Sequence, residues 1–123
     1  MTILIVDDSP VIRSSLRKCI EENTQWSVCA EAENGLDAIE KVKQCHPDVV
    51  ILDLSMPVMG GLEAAQHISA LAPGTAMVLF TMYKSPQLLK DAERMGISAV
   101  VSKSDGIVDH LLRSLRAVMP KAS

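Results

Sequence analysis

The sequence lacks the features of disulfide-rich, zinc-binding and membrane-spanning proteins. Cys19, Cys29 and Cys45 are an odd number of cysteines with no CxxC pair, so neither a disulfide framework nor a zinc site is indicated. We expect three free thiols in a reducing compartment. Residues 1–8 contain no basic stretch, and their apolar run is far too short for a signal peptide or a membrane span. These absences predict a cytoplasmic protein without a membrane partner.

An excess of basic residues is also lacking. The 12 Lys and Arg residues are outnumbered by 15 Asp and Glu residues, so the net charge of -3 gives no electrostatic reason to expect nucleic-acid binding. The 123 residues fit one domain, and 48% hydrophobic with 22% charged residues is typical of a globular chain rather than a disordered one. There is no repeat, low-complexity tract or internal linker.

Short apolar runs alternate with helical patterns along the whole chain. Four runs, rich in Val and Ile and apolar throughout, predict strands buried on both faces, at residues 3–6, 49–52, 77–80 and 99–101. A weaker run at 26–30 alternates like an edge strand. Amphipathic helices are predicted at 10–22, 35–44, 61–71, 86–95 and 105–118. Ser9 is the expected N-cap of the first helix, with Pro10 at its first position and Val11 on its apolar stripe.

Five βα units in succession indicate an α/β fold with a parallel sheet and helices on both faces. The flavodoxin-like strand order 2-1-3-4-5 is favoured because it places the weakest strand at an edge. In such sheets, ligands bind at the carboxyl ends of the strands, where the strand order reverses.

Four of the five predicted strands are followed by a polar side chain at that edge. Asp7 and Asp8 follow the first strand, Asp53 the third, Thr81 the fourth and Lys103 the fifth. Each residue alone is better explained as a turn former, a β-branched residue or a solvated charge. Together, three carboxylates need a cation among them, and oxygen-only ligands favour Mg²⁺ where phosphate completes its shell. A Lys and a Thr suit the oxygens of a phosphoryl group, which an Asp carboxylate can itself accept.

These motifs resemble the receiver domains of bacterial two-component response regulators, and the resemblance runs from residue 3 to about residue 118. It is carried by Ile5-Val6-Asp7-Asp8-Ser9-Pro10, by Asp53-Leu54-Ser55-Met56-Pro57-Val58-Met59-Gly60-Gly61, and by Thr81 and Lys103. The receiver-domain family is a known example of the flavodoxin-like strand order 2-1-3-4-5.

The resemblance implies a role for each matching position. Asp53 is expected to accept the phosphoryl group, and Thr81 to be the switch hydroxyl. Lys103 is expected to bind a phosphoryl oxygen. The expected Mg²⁺ ligands are Asp8, Asp53, the backbone carbonyl of Ser55 and, partly through water, Asp7. Pro57 and Gly60-Gly61 are expected to shape the loop after the third strand.

Two positions depart from the family pattern. Val100 stands where many members have an aromatic residue three positions before the Lys, which puts the usual aromatic switch in doubt. Met82 stands where a small residue commonly follows the Thr, and it is expected to narrow access to the site.

The resemblance also predicts organisation and partners. We expect a receiver domain at 1–119 and a C-terminal tail or the start of a linker at 120–123. The implied partner is a sensor histidine kinase or a phosphotransfer protein. Asp53-Leu54-Ser55-Met56-Pro57 and Leu62-Glu63-Ala64-Ala65 look most like receivers joined to a DNA-binding helix-turn-helix output domain, which this chain does not include. Homodimerisation stays open, as does whether the receiver stands alone.

Other functional classes fit the sequence less well. A phosphatase of the haloacid dehalogenase type needs a second Asp two positions after its nucleophile, where this chain has Ser55. A protein-binding module that keeps the fold without phosphorylation remains the second alternative, since Val100 departs from the pattern. A flavin-binding protein would need a phosphate-cradling loop after the first strand. His46, His67 and His110 show no metal spacing and favour no phosphotransfer role. We therefore expect a signalling domain that promotes its own phosphorylation and dephosphorylation.

Overall fold

A computed structural model describes residues 1–82, 84–103 and 107–118. The strands are β1 (Thr2–Val6), β2 (Ser27–Ala32), β3 (Val49–Asp53), β4 (Ala76–Thr81) and β5 (Ala99–Ser102). The helices are α1 (Pro10–Asn23), α2 (Gly35–Cys45), α3 (Gly61–Leu71), α4 (Pro86–Arg94) and α5 (Ile107–Val118). All neighbouring strands pair in parallel, in the order β2-β1-β3-β4-β5, so the predicted fold and strand order are confirmed.

The sheet is covered on both faces, which explains why its central strands are apolar throughout. One face packs against α1 and α5 through Leu16, Ile20, Leu111 and Leu115. The other face packs against α2, α3 and α4, whose buried residues are Ala38, Val42, Ala64, Ala65, Ile68, Leu88 and Ala92. Successive residues of each central strand therefore enter different cores, and both kinds of position are apolar.

Three helices, α1, α2 and α4, begin where the sequence provides a capping side chain. The Ser9 side chain accepts a hydrogen bond from the Ile12 N–H at 3.3 Å, and Pro10 occupies the first turn, as predicted. Asn34 caps α2 and Ser85 caps α4 in the same way. None of the helices in the described ranges is long and apolar enough to cross a membrane.

Several local expectations were wrong. β2 runs from Ser27 to Ala32 rather than over 26–30, because it follows β1 to its end. Val11, predicted on the apolar stripe of α1, is 74% exposed, because it lies in the first turn before the helix reaches its neighbours. The predicted start of the last helix at Asp105 lies outside the described residues, as do Tyr83 and the predicted tail at 120–123.

Candidate functional site

Three carboxylates meet at the carboxyl edge of the sheet. Asp7 follows β1 directly, Asp8 comes next, and Asp53 is the last residue of β3. One carboxylate oxygen from each of them lies within 4.8 Å of the other two. Asp7 and Asp53 are buried, whereas Asp8 is exposed, so the cluster opens to solvent on one side. The predicted strand order makes β1 and β3 neighbours in the sheet, and so predicted this grouping.

Lys103 joins two of these carboxylates. Its Nζ lies 3.0 Å from Asp7 Oδ2 and 3.0 Å from Asp53 Oδ1, and only 10% of its side chain is exposed. The ammonium also lies 5.4 Å from the centroid of the Phe80 ring, within the range of a cation–π contact. The backbone N–H of Lys103 donates to the Thr81 carbonyl at 2.6 Å, which holds Lys103 beside the end of β4.

The carboxylates and the ammonium shift one another's pKa. Burial raises the pKa of Asp53 above its usual value, the hydrogen bond from Lys103 opposes this, and the charges of Asp7 and Asp8 add to the rise. Burial alone would lower the pKa of Lys103, but its hydrogen bonds to Asp53 and Asp7, with their negative charges, outweigh burial and raise the pKa. Three carboxylates near one ammonium leave excess negative charge, which favours binding of a divalent cation.

Asp7 is fixed by partners that sequence reasoning did not identify. The Ser9 N–H donates to Asp7 Oδ1 at 2.9 Å. Arg13 Nη1 donates to the Asp7 carbonyl at 2.7 Å, while Arg13 Nε pairs with Glu31 at 3.1 Å. No pattern in the sequence signals this role for Arg13, because its position on α1 fits a solvated charge equally well.

The loop between β3 and α3 is closed by backbone hydrogen bonds. The Gly61 N–H donates to the Leu54 carbonyl at 2.9 Å, and the Met59 N–H donates to the Pro57 carbonyl at 2.7 Å. The second bond encloses a tight turn in which Val58 has a φ of 68°, an unusual value for a β-branched residue. The loop thus turns at the Pro57 and Gly60-Gly61 positions that the sequence singled out.

A pocket of about 240 Å³ borders Asp53. It is lined by Asp53, Leu54, Ser55, Thr81 and Met82. Thr81 is 4% exposed at the end of β4, so Asp53 and the predicted switch residue border the same space. Met82 also lies at this pocket.

The donor set fits Mg²⁺. All candidate ligand atoms are oxygens, and no His or Cys belongs to a cluster of three or more ligands anywhere in the described ranges. Hard oxygen ligands with one side open to solvent suit an ion that keeps some of its water. The structure therefore brings together Asp7, Asp8, Asp53, Thr81 and Lys103 and places Ser55 beside them.

A parallel sheet in the order 2-1-3-4-5, with an acidic trio, a Thr and a Lys at its carboxyl edge, defines the receiver class of signalling domains. The family model described as response regulator receiver domain matches residues 3–114, and the chain belongs to this family. It is a phospho-accepting switch of two-component signalling.

Individual relatives agree. The chain is 34% identical over 101 residues to the chemotaxis protein CheY of Halobacterium salinarum, covering 82% of each chain. It is 31% identical to the transcriptional regulatory protein LnrK of Bacillus subtilis, over 94% of this chain but 52% of LnrK. A LuxR-family response regulator structure from Aurantimonas superposes with a TM-score of 0.90 at 32% identity, covering 95% of this chain and 83% of that one. The chain therefore spans about half the length of some relatives.

Proposed function

We propose that Asp53 is the residue that accepts the phosphoryl group, and that Mg²⁺ is held beside it. The observation that carries this proposal is the position of Asp53, which belongs both to the acidic trio and to the pocket that Thr81 lines. Asp7 and Asp8 do not line that pocket. The Mg²⁺ ligands would be Asp8, Asp53, the Ser55 carbonyl and, partly through water, Asp7.

The side chains at this edge divide the chemistry among them. A carboxylate oxygen of Asp53 attacks phosphorus, and the bond from phosphorus to the donor's leaving group breaks as the acyl phosphate forms. The leaving group departs with the electron pair of that bond. If it is basic enough to need a proton, it takes one from water. Mg²⁺, when bound, supplies positive charge that offsets the repulsion between the carboxylates and the phosphoryl oxygens.

Lys103 and Thr81 would bind the product. Lys103 Nζ, which pairs with Asp7 and Asp53 in this structure, would pair with one phosphoryl oxygen. Thr81, which lines the same pocket, would direct its hydroxyl to another. Hydrolysis by water returns Asp53 to its carboxylate, so the chain promotes both its own phosphorylation and its own dephosphorylation.

Intact-mass measurement after incubation with Mg²⁺ and acetyl phosphate tests the acceptor. The parent protein should gain one phosphoryl group, and Asp53→Asn should gain none. The matched control is Asp91→Asn, on α4, where the Asn can still accept the hydrogen bond from Gln87; it should label like the parent. Equal labelling of Asp53→Asn would assign the phosphoryl group to another residue.

The partners proposed for the whole protein follow from its family. A sensor histidine kinase or a phosphotransfer protein in the cytoplasm would supply the phosphoryl group. Relatives that regulate transcription favour a DNA-binding output domain as the receptor of the signal, and a second copy of the chain is the other partner proposed. Within the chain, we assign 1–119 to the receiver and 120–123 to a tail or linker.

A further inference from the structure

Cys45 lies on the face of α2 that packs against the sheet. Gly35, Ala38 and Val42 are the buried residues of this helix, and Cys45 continues their spacing by three positions. Cys45 is also the last residue of α2, because His46 takes a left-handed conformation with a φ of 49°. The Cys45 side chain therefore ends a stripe that faces the sheet, and it is partly exposed.

Cys29 on β2 faces the same helix, at a bulge in the strand. Ile3 pairs with Val28, but the next residue, Leu4, pairs with Ala30, so Cys29 is an extra residue in the ladder. Val28 packs in the α1–α5 core, whereas Ala30 packs against the core under α2. Strand alternation from Val28 places Cys29 on the α2 side as well.

These two features bring the thiols together. They put the two side chains on facing surfaces of α2 and β2. Both cysteines are free and partly exposed in this structure. Burial, together with the hydrogen bond to Cys45, raises the pKa of the Cys29 thiol to about 12. Cys29 therefore keeps its proton at neutral pH.

We infer that Cys29 and Cys45 form a reversible redox site, in which a disulfide joins β2 to the C-terminal end of α2. A metal site is the competing explanation for paired thiols. The described ranges include every Cys and His of the chain. Within them, the group of three potential metal ligands is the acidic trio, Asp7, Asp8 and Asp53. Neither Cys29 nor Cys45 belongs to such a group. Two sulfurs without further ligands suit a disulfide rather than a tightly held metal.

The oxidant would be a small disulfide, such as oxidised glutathione. The Cys45 thiolate attacks one sulfur of the oxidant, forming a mixed disulfide and releasing one thiolate. The Cys29 sulfur, losing its proton to solvent, then attacks the Cys45 sulfur and releases the second. The two protein thiols lose two electrons and two protons, and the oxidant becomes two thiols. Cys29 reacts only within the protein, as its high pKa requires.

Counting free thiols before and after oxidised glutathione tests this inference on the whole chain. With the cysteines alkylated in denaturant, the parent should show three free thiols when reduced and one after oxidation, and peptide mapping should join Cys29 to Cys45. The control Cys19→Ala should fall from two to none. Cys29→Ser and Cys45→Ser should form no internal disulfide. A parent that keeps three thiols or only mixed disulfides, or a bridge that includes Cys19, would overturn the assignment.

Thermal unfolding supplies a second readout. The bridge closes a short loop around α2, so the oxidised parent should melt roughly 5–10 °C higher than the reduced form, and a reductant should reverse the gain. Cys45→Ser should show no such gain. A bridged form that melts lower than the reduced form would mean that the native thiols are not positioned to join, and would defeat the inference.

Discussion

Gly61 lies directly against the backbone of Asp53: a Cβ atom at position 61 would stand 2.2 Å from the Asp53 carbonyl oxygen. Gly61 is the first residue of α3, and its N–H donates to the Leu54 carbonyl at 2.9 Å. Because the obstacle is backbone rather than a flexible side chain, any larger residue at position 61 must displace the end of β3. The geometry of the proposed acceptor is thus tied to the start of α3.

Gly61→Ala should therefore damage both the fold and the site. We expect the free energy of unfolding to fall by about 2–3 kcal/mol, since overpacking against fixed backbone costs this much. Phosphorylation by acetyl phosphate should slow as well. Gly74→Ala is the matched control, because a Cβ at position 74 would meet nothing within 4 Å. Urea unfolding of both variants checks this. Equal stability of the two would show that the close approach imposes no constraint.

The raised pKa of Asp53 predicts how stability depends on pH in the absence of Mg²⁺. The folded chain holds the Asp53 proton to a higher pH than the unfolded chain does, so between the usual 3.8 and the folded pKa it binds more protons. In that window the free energy of unfolding falls as pH rises, and ionised Asp53 lowers stability at neutral pH.

Asp53→Asn removes this titration. In EDTA, the variant should be more stable than the parent at pH 7, and its advantage should shrink as the pH falls toward about 4. Denaturant unfolding of both proteins across this range measures the difference and cancels the contribution of other groups. An advantage that grows on acidification would contradict a raised pKa of Asp53 in the folded chain.

The stability that added Mg²⁺ provides should differ between two variants of the site. Asp8→Ala removes an exposed ligand, so added Mg²⁺ should hardly raise its Tm, while its stability in EDTA should match or exceed that of the parent because carboxylate repulsion falls. Lys103→Met leaves two buried carboxylates without their ammonium. It should lose about 3 kcal/mol in EDTA and gain more from Mg²⁺ than the parent does.

Thermal scans with and without saturating Mg²⁺ measure these increments. The predicted order of the Mg²⁺-dependent gain is Lys103→Met, then the parent, then Asp8→Ala. A full gain in Asp8→Ala, with phosphorylation intact, would contradict the proposed ligand set.

Trp26 should not report on the metal. It precedes β2 and packs in the core under α1 and α5, at the amino edge of the sheet. The acidic trio lies at the opposite edge, about 15 Å away along the strands. Fluorescence titration of the parent with Mg²⁺ should therefore show almost no change. Strong quenching would contradict the placement of Trp26 far from the acidic trio.

The phosphorylation switch should not depend on an aromatic ring at position 100. Val100 is β-branched, stiff and packed against the core under α2, α3 and α4. We expect the rearrangement to pass through Thr81 and the residues that follow it, including Tyr83, which lies outside the described residues. A coupling of about 1–3 kcal/mol would shift a partner's affinity measurably.

Amide exchange with and without a phosphoryl mimic locates the switch. Changes centred on 81–85 would support this route. Changes confined to 98–102, with 81–85 unaffected, would show that β5 carries the signal instead and that Val100 belongs to an ordinary switch.

Much of this protein is determined by the sequence alone. The apolar runs identify four strands, and Ser9 and Pro10 fix the start of α1. Parallel strands end at one edge of the sheet. The polar residues that end or follow β1, β3, β4 and β5 therefore had to converge at that edge. The strand order was predicted from the observation that the run at 26–30 is the most polar of the five, which suits an edge strand.

Tertiary structure decided what depends on the direction of individual side chains. Nothing in the sequence shows that Arg13 reaches the Asp7 carbonyl or that Lys103 lies over Phe80. The extra residue in β2 puts Ala30 on the same side as Cys29, and the approach of Cys45 to Cys29 depends on how α2 packs over that side. Periodicity predicts which residues share a face only while an element is regular, so a bulge, a first helical turn or a long side chain is settled by the packing of its neighbours.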